Sequence, residues 1–526
     1  MENTIFSILP PILAIAMVLL TRRVLLSLGV GILAAALILG SFAPGASAEA
    51  LWSSFAVTFW DGGFNAYNVY IILFLLLLGI ITAFVSLSGG SRTFADWAAA
   101  RVKSRRGAKL LTVFLGILIF IDDYFNALAV GQVSRPITDR YKISRAKLAY
   151  YIDSTAAPVC VVSPVSSWGA VIIGMVGTIL AGQTLLDYTA LEAFLWMAPM
   201  NFYVIAALAI VFFTAFSDTD LGEMKKHEER ALTSGELYDP AKPIPGELKE
   251  EFPEHGHGKV RDLVLPIVLL IAGTVAAMLW TGYQNGGQVL DVWVMFENTD
   301  VPASLLAGGL AGALTAIGLY ALQIGRNSEA KPVWIGKGIW AGIKSMWTAV
   351  AILILAWSLV YLISGLQTGE YLANIVTASN LPVGLLPVIL FLLAGGMAFA
   401  TGTSWGSFGI LLPVAGTIMI EAQVPELLLP ALSAVLAGAV FGDHCSPISD
   451  TTILSSTGAG SNHIDHVVTQ LPYALTAAGI AAVGYLLIGL TGSLTLALGT
   501  VVILLAGLFF FWSKRDNHVT LKSQLS

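Results

Sequence analysis

Charge is what this sequence has least of. Only 11% of its 526 residues are Asp, Glu, Lys or Arg, against about 25% in soluble domains. With 56% hydrophobic residues and a mean hydropathy of +0.80, the chain has more apolar surface than a water-soluble core can hide, so its solvent must be lipid. Cysteine is scarce as well. Cys160 and Cys445 lie in apolar surroundings without metal-ligand spacing, which excludes a disulfide framework and a zinc site. The net charge of −6 says nothing about nucleic acid, but no basic patch or nucleic-acid motif appears, so no nucleic-acid partner is expected. No nucleophile–base arrangement is readable, so an enzyme is the least favoured class, and no cofactor is expected. A basic n-region is missing before the first apolar run, which is therefore expected to be a retained helix with its C-terminal end inside, ahead of Arg22 and Arg23.

What is present in abundance is long apolar runs. They fall near 5–20, 24–42, 69–89, 147–183, 191–215, 262–281, 303–323, 345–364, 427–456, 467–490 and 493–513. A spanning helix needs about 20 such residues, so about 11 transmembrane helices are expected in an all-α polytopic membrane protein. All 27 Lys and Arg residues fall in six clusters, around 22–23, 92–109, 135–147, 225–261, 326–344 and 514–522. The loops at 43–68, 184–190, 282–302, 365–383 and 422–426 have none. The positive-inside rule then predicts an inner (plasma) membrane protein with its N-terminus outside and its C-terminus in the cytoplasm.

Residues 110–134 break the simple count, being apolar yet flanked by basic clusters on both sides. The segment must cross zero times or twice, and 25 residues are too few for two crossings. The reading is a re-entrant hairpin with Asp122 and Asp123 at its tip, tolerated only in a protein-lined or wet cavity. Residues 216–260, rich in charge and proline, read as a cytoplasmic linker. His255 and His257 within it fit a polar loop better than a metal site.

The linker divides two similar halves. Ser163-Pro164-Val165-Ser166 recurs as Ser446-Pro447-Ile448-Ser449, an offset of 283 residues, and the same offset lays Asp122-Asp123 on Trp405-Gly406. Residues 1–215 form the first repeat, with the hairpin at about 110–134 and a broken helix at about 147–183. Residues 261–490 form the second, with a hairpin at about 384–420 and a broken helix at about 427–456. An extra helix and cytoplasmic tail occupy 491–526. An odd number of crossings per repeat makes the repeats inverted, and matched broken helices point to a midplane transport site.

Chemistry concentrates at the breaks. An aspartate at bilayer depth costs about 2.5–3.5 kcal/mol, so Asp122, Asp123, Asp153, Asp443 and Asp450 need a compensating role. Carboxylates, hydroxyls and freed carbonyls suit Na⁺, and a carboxylate that takes Na⁺ or H⁺ in turn gives antiport. The candidate set is Asp122, Asp123, Asn126, Asp153, Ser163, Ser166, Thr401, Thr403, Ser404, Asp443, Ser446, Ser449, Asp450 and Thr451, with Na⁺ held by Asp122, Asp123, Asp443 and Asp450. Trp168 and Trp405 are candidate pocket residues. The bland readings stand beside these: helix capping by one of the vicinal Asp pair, structural hydrogen bonding by Asp443 and Asp450, solvation of Asp153 near the cytoplasmic end, and Trp packing. His444 reads as a structural hydrogen-bonding residue, and His463 and His466 as solvated near the inner surface.

At Gly442-Asp443-His444-Cys445-Ser446-Pro447-Ile448-Ser449-Asp450-Thr451-Thr452, at the Asp122-Asp123 tip, at Asp153-Ser154-Thr155 and at Gly402-Thr403-Ser404-Trp405-Gly406, the chain resembles the NhaC-type Na⁺/H⁺ antiporter family. The resemblance covers most of the chain apart from the linker and tails. It implies a scaffold domain and an elevator-type transport domain carrying both hairpins, with Na⁺, H⁺, the lipid bilayer and a second copy in a homodimer as the expected partners. Some members resemble carriers that couple Na⁺ or H⁺ to an amino acid such as methionine or to an organic acid. Two functions are therefore expected: Na⁺/H⁺ antiport, or Na⁺-coupled transport of an amino acid or organic acid. A passive channel fits the matched dead-end hairpins poorly.

Overall fold

Helices account for nearly all the regular structure. The computed structural model describes residues 2–21, 23–99, 101–120, 122–164, 166–180, 188–244, 258–325, 330–368, 370–371, 374 and 382–524. His255 and His257, and the expected end of the first broken helix beyond Leu180, lie outside the described residues. The first half contains α1 (Leu9–Thr21), α2 (Val24–Leu39), α3 (Pro44–Ala56), α4 (Ala66–Leu87), α5 (Gly90–Ala99), α6 (Arg105–Leu118), α7 (Asp123–Arg140), α8 (Arg145–Cys160), α9 (Ser167–Leu180), α10 (Ala190–Met197), α11 (Phe202–Ser217) and α12 (Gly222–Thr233). The second contains α13 (Arg261–Asn285), α14 (Val292–Glu297), α15 (Val301–Ala321), α16 (Val333–Gly365), α17 (Leu386–Thr401), α18 (Ser404–Glu421), α19 (Leu428–Cys445), α20 (Asp450–Ala459), α21 (His463–Thr491) and α22 (Leu494–Gln524).

Among the described residues, nine helices are long and apolar enough to cross a membrane. The expectation of about 11 differs for two physical reasons. The first two apolar runs form helices of only 13 and 16 residues, and the 147–183 run is two short helices. The first limb of the second hairpin, by contrast, reaches spanning length.

The two segments expected to be hairpins hold the helix pairs α6/α7 and α17/α18. α6 and α7 run to 14 and 18 residues, because Ser104 accepts a hydrogen bond from the Gly107 amide at 3.0 Å and starts the helix ahead of the apolar run. A 14-residue helix rises about 21 Å, short of a hydrocarbon core of about 30 Å. The second hairpin turns at Gly402, whose φ of +72° ends α17 in the left-handed conformation. The broken helices are α8/α9 and α19/α20, with α8 ending at Cys160 and α9 starting at Ser167, and α19 ending at Cys445 and α20 starting at Asp450.

The two halves of the chain pack crosswise. α7 of the first lies on α20 of the second, and α9 of the first on α18 of the second. Gly131 and Gly458 bring the backbones of α7 and α20 together: a Cβ on Gly131 would fall 2.5 Å from the Gly458 carbonyl oxygen. Trp168 on α9 packs on Trp405 of α18, ring centroids 5.2 Å apart. Outside this centre, α4, α13, α15 and α16 form a bundle closed by small residues, with Gly79 against the Gly342 carbonyl and Gly308 against Thr274. Tyr124, Ala127 and Leu128 of α7 belong to the bundle's apolar core, so the first hairpin is wedged between bundle and broken helices.

The linker is not a free tether. Glu228 of α12, buried, accepts from the Ser144 amide at 2.7 Å and pairs with Arg105. Asp218 takes Arg105 at 2.9 Å and Lys109 at 2.5 Å, and Asp220 takes the buried Lys147. Lys242 reaches Asp465 of α21 at 2.6 Å. The linker thus ties the feet of the first hairpin and of α8 to the start of α21. Basic clusters from three loops meet here, at one end of the molecule.

Candidate functional site

Four helix N-termini, those of α7, α9, α18 and α20, open at the two hairpin tips and two breaks. Asp123 and Asp450 occupy the first turns of α7 and α20, where the helix dipole favours negative charge. Asp122 and Asp123 are both buried. Asp123 Oδ1 accepts from the Trp168 indole nitrogen at 3.1 Å, while its Oδ2, also buried, has no hydrogen-bond partner. Tyr124 donates its hydroxyl to Asp450 Oδ2, and Asp450 Oδ1 caps the Thr451 amide at 2.8 Å. The charges of Asp122, Asp450 and Asp443 all bear on Asp123.

The second hairpin supplies a parallel arrangement. Ser404 donates to Asp443 Oδ2 at 2.7 Å, and Asp443 Oδ1 is buried without a partner. The 283-residue offset puts Cys160 where the second repeat has Asp443. The Cys160 thiol donates to the Phe120 carbonyl at 3.3 Å, in the first hairpin's turn. Each broken helix therefore touches the hairpin of its own repeat, with an acid in one half and a thiol in the other.

Several candidate side chains are committed to shaping the breaks. The Asn126 amide donates to the carbonyls of Gly116 at 2.5 Å and Ile119 at 2.7 Å, tying the tip of the first hairpin, and its Oδ1 is buried and unpartnered. Ser166 donates to the Cys160 carbonyl at 2.6 Å and accepts from the Gly169 amide at 2.8 Å. The Ser163 carbonyl lies within the same turn. Ser449 caps the Thr452 amide at 3.3 Å and pairs with the Thr451 hydroxyl at 2.9 Å. Ser446 donates to the Phe399 carbonyl and Thr401 to the Met397 carbonyl. Thr403 starts α18, its carbonyl taking the Ser407 hydroxyl at 3.2 Å. These hydroxyls hold the backbone whose end groups face the site.

Asp153 is not solvated at a helix end. It lies mid-way along α8 with no exposed surface. Its carboxylate receives Gln470 Nε2 at 2.6 Å, His466 Nε2 at 3.0 Å, the Ser455 hydroxyl at 3.2 Å and the Thr452 hydroxyl at 3.3 Å. His463 and His466 are also buried, contrary to their placement near the surface by sequence, because α21 begins beneath the linker. His444 joins the cluster as a structural link: Nε2 to the Asp153 carbonyl at 2.9 Å, Nδ1 to Tyr203 at 3.0 Å. His466 and Gln470 were not among the sequence candidates. Their signal is polar side chains at 463, 466 and 470, one face of an otherwise apolar helix.

A cavity of 350 Å³ opens beside the first hairpin, lined by Asp122, Asp123 and Tyr124 at the tip, Trp405, and Tyr67, Thr299 and Asp300 from the outer bundle. It lies toward the ends that carry the loops without Lys or Arg. Trp405 lines it, whereas Trp168 is wholly buried behind. Among the described residues no three His, Cys, Asp or Glu side chains converge as a metal site, so any ion here would draw on carbonyls and hydroxyls as well as carboxylates.

A family model described as the Na⁺/H⁺ antiporter family matches residues 159–490, which include Asp443 and Asp450 of the second broken helix, the second hairpin and the Asp153 partners on α21. The chain belongs to the Na⁺/H⁺ antiporter family. This makes it a multi-pass membrane secondary transporter and not an enzyme. An uncharacterised protein of Haemophilus influenzae is 47% identical over 518 residues, 98% of this chain and 96% of its own. A malate-2H⁺/Na⁺-lactate antiporter of Bacillus subtilis is 38% identical over 95 residues, 18% of this chain and 19% of that protein. An uncharacterised Na⁺/H⁺ antiporter of H. influenzae is 36% identical over 109 residues, 21% and 23% of the two chains. The YdaH transporter of Alcanivorax borkumensis, whose crystal structure has an unusual topology, is 16% identical with a TM-score of 0.33, covering 96% of this chain and 99% of that one.

Proposed function

We propose that this transporter exchanges Na⁺ for H⁺, with Na⁺ taken at the aspartates between the two hairpin tips. The observation that carries this reading is a pair of buried carboxylate oxygens, Asp123 Oδ2 and Asp443 Oδ1, that receive no donor. A buried lone pair without a partner costs about 1–3 kcal/mol, and a small hard cation removes that cost. Asn126 Oδ1 is a third open acceptor of the same kind. The hairpins and broken helices would move together past the outer bundle, exposing the site alternately. A second reading, an organic acid moving with the ion, draws support from the 350 Å³ cavity, larger than an ion needs, and from the short match to the malate/lactate antiporter.

The experiment uses purified protein in liposomes with an imposed Na⁺ gradient, an internal pH dye and a panel of labelled amino and organic acids. Na⁺-driven proton movement without any solute is the expected result. Proton movement that appears only when a solute is supplied favours the second reading, and none under either condition rejects both.

A further inference from the structure

We propose that the transported proton is carried by His466, at Nδ1, on the buried Asp153 and apart from the aspartates that take Na⁺. The proposal rests on the Na⁺/H⁺ reading above and assigns its proton half.

The two buried acid sites differ in their open lone pairs. Asp123 and Asp443 each keep an unpartnered carboxylate oxygen. Asp153 has a donor on each oxygen: Thr452, His466 and Gln470 on Oδ2 and Ser455 on Oδ1. Three donors already crowd the two lone-pair positions of Oδ2, so Na⁺ would have to displace them there. What stays open around Asp153 is nitrogen and amide oxygen: His466 Nδ1 and Gln470 Oε1 are both buried and both without a partner. They stand four residues apart on α21, on one face of the helix.

With Nε2 at 3.0 Å from Asp153 Oδ2, the hydrogen of the neutral ring is on Nε2, and Nδ1 is the free base. A proton added at Nδ1 gives an imidazolium already facing a carboxylate, so the new charge is paired where it forms. Gln470 Oε1 is an open acceptor on the same face. Imidazole nitrogen is a poor ligand for Na⁺ and a good one for H⁺, so the two ions sort by donor type.

The other titratable groups around the ring already have partners. His444 is held between Tyr203 of α11 and the Asp153 carbonyl. His463 spans the Pro447 carbonyl at 2.8 Å and Ser456 at 3.3 Å. Lys147, also on α8, pairs with Asp220. Asp443 lies on the far side of Thr452, whose hydroxyl is 3.3 Å from Asp153 Oδ2 and 3.5 Å from the Asp443 carbonyl. That threonine is the contact through which occupancy of one site is felt at the other.

The test is His466→Gln in proteoliposomes, read in two ways: ²²Na⁺/Na⁺ counterflow at equal pH, and ²²Na⁺ uptake driven by a pH gradient. The expected result is counterflow within about twofold of the unaltered protein and driven uptake reduced by about tenfold or more, since only the proton branch needs the imidazole. Driven uptake that persists in His466→Gln overturns the proposal, as does equal loss of both fluxes in protein that elutes as a folded, monodisperse species. If that variant does not fold, Asp153→Asn decides. With the imidazole kept and its counter-charge removed, driven uptake falls by about tenfold relative to counterflow, and an unchanged ratio of the two fluxes rejects the assignment. Unaltered protein that shows no Na⁺-dependent proton movement sinks the antiport reading itself, a separate failure.

Discussion

Tyr124 donates its hydroxyl hydrogen to Asp450, a residue 326 positions further along the chain. The contact joins the first turn of α7, at the tip of one repeat's hairpin, to the first turn of α20, just past the break of the other. Two half-helix N-termini are thereby held together over one carboxylate. The hydroxyl stabilises that carboxylate in its charged form, the form that can accept Na⁺.

Tyr124→Phe should therefore favour the protonated carboxyl at Asp450. A hydrogen bond to a charged group contributes about 1.5–3 kcal/mol, and one pH unit corresponds to about 1.4 kcal/mol. The pH at which Na⁺ exchange is half-maximal is expected to rise by about one to two units, with maximal rate at high pH retained. A pH profile in proteoliposomes measures this, and an unmoved profile would remove Asp450 from the exchange.

Asp123→Asn and Asp443→Asn test the open oxygens directly. Each replaces a charged acceptor by a neutral amide of the same shape, so the packing around Trp168 and Ser404 survives. Loss of a charged ligand of about 3 kcal/mol corresponds to roughly 100-fold in Na⁺ affinity. Na⁺ activation curves on protein of unchanged melting temperature read the effect. Wild-type Na⁺ affinity in both variants would refute the site.

Part of this is legible in the sequence. The parity of the basic clusters marks 110–134 as unable to cross twice, and the Ser163/Ser446 offset points to the stretches where α8 gives way to α9 and α19 to α20. Helix ends were less legible, because apolar runs mark depth in lipid, whereas a cap such as Ser104 marks where the helix starts. The setting of Asp153 is hard to read for the same reason: closeness to Lys147 in sequence leaves solvation and function equally open, yet Lys147 is itself sealed by Asp220 under the linker. The partners of Asp153 come from α20 and α21, some 300 residues away, and no local pattern reports such a contact. Most of the Ser and Thr candidates lie at the breaks, as expected, but hold backbone; a hydroxyl count cannot tell a cap from a ligand.

Lys147 and Asp220 bind the linker to α8 as a buried ion pair, the lysine wholly buried and the aspartate nearly so. Lys147→Met leaves Asp220 buried with only the distant Tyr473 hydroxyl, at 3.5 Å, beside it. Removing one partner of such a pair costs about 3–5 kcal/mol. Adding Asp220→Asn to Lys147→Met is expected to recover most of that loss, because the uncompensated charge is then gone. Melting temperatures of the two single variants and the double variant in detergent form the cycle, and additive losses would show that the two side chains do not depend on each other.

Beside the site, α17 and α19 approach closely through glycines. A Cβ on Gly442 would fall 2.0 Å from the Gly395 carbonyl oxygen, and one on Gly438 2.1 Å from the Phe391 carbonyl oxygen. Both obstacles are backbone, so neither can swing aside, and a methyl group at either position must push the helices apart. Overpacking of this kind costs about 1–3 kcal/mol. Gly499 on α22 has nothing within 4 Å, so Gly499→Ala is the matched control and is expected to be neutral or stabilising by up to about 1 kcal/mol, the helix propensity difference. Gly442→Ala should do more than lower the melting temperature. Asp443 follows Gly442 directly, and its 2.7 Å bond to Ser404 bridges α19 to the second hairpin, so separation of α17 and α19 pulls the carboxylate from its donor. Na⁺ exchange is therefore expected to fall further than the loss of folded protein accounts for, and flux normalised to the folded fraction separates the two effects. Equal behaviour of Gly442→Ala and Gly499→Ala would mean that this packing does not position Asp443.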